Sequence, residues 1–291
     1  MAKMIFARQI DTGKIVGIDD VESGLKCNCV CPHCGDILEA RKGKIRVHHF
    51  AHSGKGETAF CSETALHLAA KEILKEERKI LLPRLKIDDD IYHSCFEIMP
   101  DGYEFIYDTV EVEKSIFVDN ELIRPDLIVS KGNAVLAVEI LVSHAVDEEK
   151  KEKIKRARLT TIEIELNADE IINKETLRNI LVSKTSNKKW IFSKQRNYFA
   201  EKIPQICKKF IVKNKIVRDC PINIWQGRKL GASVGQCNGC KYGYGVSLEH
   251  VWCLGEKRIA KIDDLKLNVD KLQEHIKNKR WKKWKMIKKF F

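Results

Sequence analysis

Two carboxylates interrupt the most apolar part of the chain. Asp126 opens the run P-D-L-I-V-S, and Glu139 sits between Val138 and Ile140 in A-V-L-A-V-E-I-L-V-S. A carboxylate inside such a run is costly to bury unless it is paired or holds a metal. The runs Pro125 to Ser130 and Ala134 to Ser143 are joined by Lys131-Gly132-Asn133, which has the chemistry of a tight hairpin turn. Folding back at that turn sets Asp126 roughly opposite Glu139. Two converging carboxylates at the end of a sheet suit a hard divalent cation, Mg²⁺ or Mn²⁺. The same residues also fit a plainer arrangement, in which Asp126 caps a turn and Glu139 meets an Arg or Lys.

A second chemistry lies upstream. Cys31 and Cys34 form Cys-x2-Cys in C-P-H-C-G, and His49 and His52 form His-x2-His in H-H-F-A-H. Together they make a Cys2His2 set suited to tetrahedral zinc, with the expected strands Ile37 to Ala40 and Ile45 to Val47 between its halves. Cys27, Cys29, His48 and Cys61 are nearby, and any of them can replace a ligand. The plain alternative is buried free thiols beside unrelated histidines. A third group, Cys220, Cys237, Cys240 and Cys253, has the spacing of a four-cysteine zinc ribbon, with Cys207 in reserve and an iron–sulfur cluster as the other reading. Neither set needs an open ligand position, so both zinc ions are expected to be structural.

The elements that must position these groups follow from periodicity. A hairpin is expected around Asp11-Thr12-Gly13. A helix starts with Ser62 as its cap and ends by Pro83, with Glu63, His67 and Lys71 one turn apart on one face. Lys71 reads as part of a solvated stripe. Alternating strands fill 88 to 121, and a highly charged helix runs from Asp147 to Arg158. T-T-I-E-I-E-L gives a strand over Thr160 to Leu166, and a helix capped by Asn167 or Asp169 reaches Val182. Trp190 to Phe192 reads as a strand and Gln195 to Val212 as a helix. The expected fold class is α/β (α+β), a mixed sheet flanked by helices. It is divided into an N-terminal zinc-binding module (1–60), a core (61–185) and a C-terminal four-cysteine domain (186–291).

With 291 residues and a formal net charge of +12, the chain favours an anionic partner, nucleic acid before membrane. The tail Leu272 to Phe291 carries eight Lys/Arg against one Glu, with Ile276, Trp284, Ile287 and Phe291 near one helical stripe. Such a segment suits phosphate docking. No apolar run is long enough to span a membrane, and the start of the sequence lacks a signal-peptide core, so a cytoplasmic protein is expected. Eleven cysteines in a reducing compartment favour metal sites over disulfides. No Gly-rich phosphate loop or nucleophile elbow competes: Gly231-Ala232-Ser233-Val234-Gly235 lacks the Lys-Ser/Thr ending.

The order helix, strands, hairpin, helix, strand, with Asp126 and Glu139 on the hairpin, resembles the core of the PD-(D/E)xK nuclease superfamily. The closer resemblance is to the competence protein CoiA-like family. It is carried by C-P-H-C-G, H-H-F-A-H, S-E-T-A-L-H-L-A-A-K-E-I-L, R-P-D-L-I-V, V-E-I-L-V-S-H-A-V-D-E-E-K and T-I-E-I-E-L, over roughly residues 25 to 166. The resemblance implies a restriction-endonuclease-like core behind a small zinc module, and Mg²⁺-dependent hydrolysis of DNA in competence, recombination or defence. In that scheme Glu63 is the helix acid, Asp126 the metal-bridging acid and Glu139 the acid of the third motif. The superfamily places Lys two residues after that acid, where this chain has Leu141. A basic residue must then come from the next helix, Lys150 first and His144 second, or the site is inactive. An inactive nuclease fold implies a nucleic-acid-binding protein or a subunit of a DNA-processing or defence assembly, with protein partners.

Overall fold

The computed structural model describes residues 3–54, 56, 58–89, 94–118, 121–142, 148–222, 231–257, 259 and 264. The basic tail and His144 therefore lie outside the described residues. The chain divides into two compact units. One comprises 1–83 with 101–194, the other 84–100 with 195–291. The N-terminal segment expected to stand alone thus joins the core, and 84–100 belong with the C-terminal unit.

In the first unit, β1 (Phe6–Gln9), β2 (Ile15–Gly17), β3 (Gly24–Val30), β4 (Ile37–Arg41) and β5 (His49–His52) form a sheet in the order β2-β1-β3-β4-β5. Gly13, at φ +67, supplies the left-handed turn residue of the first hairpin. Ile45 to Val47 do not form the expected strand. Ile45 is fully exposed, and β4 pairs instead with His49–His52. Helix α1 (Ala59–Glu77) begins three residues before the expected cap and ends at Arg78, which adopts the left-handed conformation at φ 52. Its buried stripe is Cys61, Ala65, Leu66, Ala69, Ala70, Ile73 and Leu74, and it also buries Lys71. The carboxylate of Glu72 accepts the Ile15 N–H, which ties the middle of α1 to β2.

Strand β6 (Lys79–Leu82) leads to β7 (Leu85–Asp89) and β8 (Ser94–Met99), the hairpin that belongs to the second unit. The chain then returns as β9 (Tyr103–Ile106), which pairs with β6. Next come β10 (Thr109–Val112), the hairpin β11 (Ile116–Val118) and β12 (Glu121–Ile123), then β13 (Leu127–Lys131), β14 (Ala134–Leu141), α2 (Glu148–Arg156), β15 (Thr161–Glu165), α3 (Lys174–Ser183) and β16 (Lys188–Phe192). The central sheet has the order β10-β13-β14-β15-β16. Its β14–β15 pair is parallel and the others antiparallel, so the sheet is mixed. The β13–β14 hairpin closes at Lys131↔Ala134, leaving Gly132-Asn133 as a two-residue turn with Gly132 at φ 55. Helix α2 makes the parallel crossover. It buries Ile154, with Ala157 and Leu159 just beyond it, against Ala137 of β14, Ile123 and Phe192.

In the second unit, α4 (Lys194–Ile206) is shorter than expected, because Lys208–Ile211 turn into strand β17. It continues through β18 (Ile216–Val217), β19 (Ala232–Ser233), α5 (Val234–Asn238), β20 (Gly243–Val246) and β21 (His250–Cys253). One of its core clusters joins Ile87 to Ile203, Tyr244, Leu254 and Ile259. The molecule is a mixed α+β protein with five α-helices among the described residues, none long and apolar enough to cross a membrane.

Candidate active site and metal centre

The hairpin register places the acids. Leu127 pairs with Val138, so continuing the ladder by one residue sets Asp126 opposite Glu139. The row extends on both sides. Glu113 donates its N–H to the Asp126 carbonyl, and Glu139 pairs with Glu163 across the parallel strands. Glu113, Asp126, Glu139 and Glu163 thus lie in line across four neighbouring strands. Asp126 precedes β13 and Glu139 lies inside β14, where it is 2% exposed.

Each acid of the central pair meets a different helix. Helix α1 brings His67 Nε2 to 3.0 Å from Asp126 Oδ2 and Lys71 Nζ to 3.0 Å from Oδ1. The Ile140 N–H donates to Oδ2 at 2.8 Å. Helix α2 brings Lys150 Nζ to 2.7 Å from Glu139 Oε2. Lys71 also donates to Glu113 at 2.6 Å, and Arg124 Nη2 lies 2.6 Å from the other Glu113 oxygen. Lys71 is thus no solvated-face residue: at 3% exposed it is sealed under α1 and bridges two acids. A helical i, i+4 stripe does not say which face is buried, and here the charged face meets the sheet. The side chain of Glu63, one turn before His67, makes no hydrogen bond or ion pair among the described residues. Leu141, two residues after Glu139, pairs with Glu165 at the strand end.

The two acids are held in opposite electrostatic states. Burial alone would raise Asp126, but the hydrogen bond and charge of His67, the charge of Lys71 and the Ile140 N–H hold its carboxyl well below the usual range. Glu139 goes the other way, pushed up to about 7, because burial and the neighbouring Asp126 outweigh the attraction of Lys150. The folded value lies above the ordinary 4.5, so the folded chain takes up a proton in that interval that the unfolded chain does not hold. That contribution is complete at low pH and is lost as pH rises through the folded value. Between pH 5 and 8, metal-free wild type is expected to lose on the order of 2–3 kcal/mol that Glu139→Gln retains. Urea unfolding at a series of pH values checks this, and parallel pH profiles for the two proteins would refute it.

Lys71→Met removes the cation shared by Asp126 and Glu113. Breaking one side of a buried pair costs about 3 kcal/mol. The expected outcome is that loss in chemical denaturation, with Lys71→Arg retaining most of the stability.

One group of residues could hold a metal ion, and it overlaps the expected set only in part. Cys31, Cys34, His52 and Cys61 place their ligand atoms within 4.8 Å of one another. Cys34 Sγ lies 3.4 Å from His52 Nε2, near the edge length of a tetrahedron built on Zn–S and Zn–N bonds of about 2.3 and 2.0 Å. The set is Cys3His. His49 is not part of it, and its Nδ1 donates instead to the Val47 carbonyl at 2.9 Å. The reason is parity: His49 and His52 lie in a strand, where residues three apart face opposite sides. Cys61, from the first turn of α1, takes the vacated corner. Burial pushes the Cys31 thiol up to about 12 without metal. Hydrogen bonds from Thr58, Cys31 and Cys34 outweigh burial at Cys61 and lower it.

Cys220, Cys237, Cys240 and Cys253 gather in one core cluster of the second unit. Burial, with the other three thiols adding, pushes Cys237 up to about 12. The N-terminal set is the one group of potential metal ligands that converges to within 4.8 Å among the described residues.

No protein-family model, curated protein or solved structure matches the chain.

Proposed function

We propose that the chain is a divalent-metal-dependent nuclease that hydrolyses phosphodiester bonds in DNA, on a restriction-endonuclease-like core of the PD-(D/E)xK type. The observation that carries this reading is Lys150 Nζ at 2.7 Å from Glu139, beside Asp126. The basic group absent at Leu141 arrives from α2. The order α1, β10, β13, β14, α2, β15, an antiparallel hairpin followed by a parallel crossover, also supports it. So does the buried Glu139 Oε1, which has no hydrogen-bond partner among the described residues and fits a cation. Asp126 and Glu139 are the residues that would hold Mg²⁺, which when bound would acidify a water and offset charge at the scissile phosphate. Asp126, kept ionised by His67 and Lys71, is the preformed ligand. Lys150 orients the attacking water or offsets charge on the phosphate. The +12 net charge gathers the anionic backbone. Competence, recombination or defence against foreign DNA is the setting this reading suggests.

The same reading gives the C-terminal cysteines a second structural zinc. Metal analysis of the purified protein should then return two zinc ions per chain, and a single ion would confine zinc to the Cys3His set.

The nuclease is tested on linear, circular and single-stranded DNA with Mg²⁺ or Mn²⁺. Wild type is expected to cleave, and Lys150→Ala to lose about 10²-fold in rate. The second reading is a nucleic-acid-binding protein with an inactive site, favoured by Leu141 and by the ion pairing of both acids. DNA binding without cleavage by zinc-loaded protein on every substrate would select it.

A further inference from the structure

Glu163 has no part in the site expected from the sequence. It lies on β15 beside Glu139, paired with it in the parallel register, and both side chains therefore project from the same face of the sheet. Glu139 is 2% exposed and Glu163 is 7% exposed. Each carries a buried oxygen, Glu139 Oε1 and Glu163 Oε2, that accepts no hydrogen bond among the described residues. The cations near them are already engaged. Lys150 holds Glu139 Oε2 at 2.7 Å. Lys151 interacts electrostatically with Glu163, but its ammonium rests 2.8 Å from Glu148 at the surface.

Two buried, adjacent carboxylates with orphaned oxygens are unfavourable as they stand. A divalent cation between them removes both problems. Neighbouring strands are about 4.8 Å apart. Oxygens on one Mg²⁺ sit about 2.1 Å from it, so the spacing suits one ion shared by two strands. Asp126 lies on the other side of Glu139, so Asp126 and Glu163 are two strand spacings apart, about 10 Å at the backbone. They do not converge with Glu139 on one centre among the described residues.

We propose that Glu139 and Glu163 hold a second divalent cation, with Glu139 shared between this ion and the one at Asp126. The inference rests on the nuclease reading for the use of this ion, which then lies beside the scissile phosphate as a partner of the first. Glu163, and not Glu63, supplies its second carboxylate.

The probe is Mn²⁺, titrated into zinc-loaded full-length protein and followed by electron paramagnetic resonance, with DNA cleavage assayed in parallel. Wild type should bind two Mn²⁺ per chain and Glu163→Gln one. Asp126→Asn should keep the ion at Glu139 and Glu163. Glu163→Asp, which keeps the charge on a shorter stem, should bind the second ion at least tenfold more weakly, and it decides the case if Glu163→Gln does not fold. One or no Mn²⁺ in wild type, or wild-type binding in both Glu163 variants, overturns the proposal. Two ions lost to one in Glu163→Gln, with no cleavage by wild type, upholds the cation site and sinks the nuclease reading.

Discussion

Asp126→Asn is expected to abolish metal-dependent cleavage while leaving most of the fold standing. The carboxylate accepts from His67, Lys71 and the Ile140 N–H. An amide keeps the size of the side chain and one acceptor oxygen, so the hairpin register is retained. The negative charge that would draw the proposed cation is gone, and the amide nitrogen faces donors where it needs acceptors. Removing a main electrostatic element of an active site costs roughly 10³-fold in rate, and a metal ligand lies at the upper end of that scale. Lys71 still has Glu113 at 2.6 Å, so the stability loss should be well short of that for Lys71→Met. Initial rates on plasmid DNA, with urea unfolding as the control, make the measurement. Undiminished cleavage by the folded variant would remove Asp126 from the site.

Zinc removal should have the second large effect, at a distance from the acids. The Cys3His set joins the loop after β3, the end of β5 and the first turn of α1. His67 and Lys71 follow Cys61 on that helix, about 9 and 15 Å along its axis at 1.5 Å per residue. Loss of zinc frees the N-terminal end of the helix that holds Asp126. Structural zinc contributes about 10 kcal/mol or more in small peptides. Here the sheet and helix have cores of their own, and a loss of about 3 kcal/mol is expected, or about 6–12 °C in Tm. Chelation and Cys61→Ser should both release the ion, lower Tm and slow cleavage together. His49→Ala should keep zinc. Zinc lost from His49→Ala but kept by Cys61→Ser would reverse the ligand assignment. Because Cys31 must lose its proton to bind, zinc affinity should also rise with pH through the neutral range.

The parts of the fold set by local chemistry were legible. Gly132-Asn133 dictates a two-residue turn, and that turn alone fixes Asp126 opposite Glu139. Lys150 could be named because the helix after β14 begins with charges close to the strand end. Other features depend on information that neighbouring residues do not carry. His-x2-His reads as one face only if the segment is helical, and His49–His52 is a strand, so the spacing does not single out Cys61. The i, i+4 stripe of Glu63, His67 and Lys71 looks the same whether it faces water or the sheet. Glu163 falls beside Glu139 through a parallel crossover, whose register depends on how α2 packs and not on any turn signal. The 84–100 hairpin alternates like its neighbours, and nothing local assigns it to the other unit.

That hairpin bears on how the protein is made. During synthesis, Ile87 and Ile98 emerge long before Ile203, Tyr244 and Leu254, the residues they pack against. At about 5–20 residues per second, the wait for those partners is on the order of 5–30 s. Throughout it an apolar β-ribbon hangs from a half-built first unit, a natural target for a chaperone. The same connectivity forbids a clean cut: a fragment ending near residue 194 strands 84–100 without their core, and one beginning there lacks two of its strands. Deletion series designed on linear domain boundaries therefore separate 84–100 from the residues they pack against.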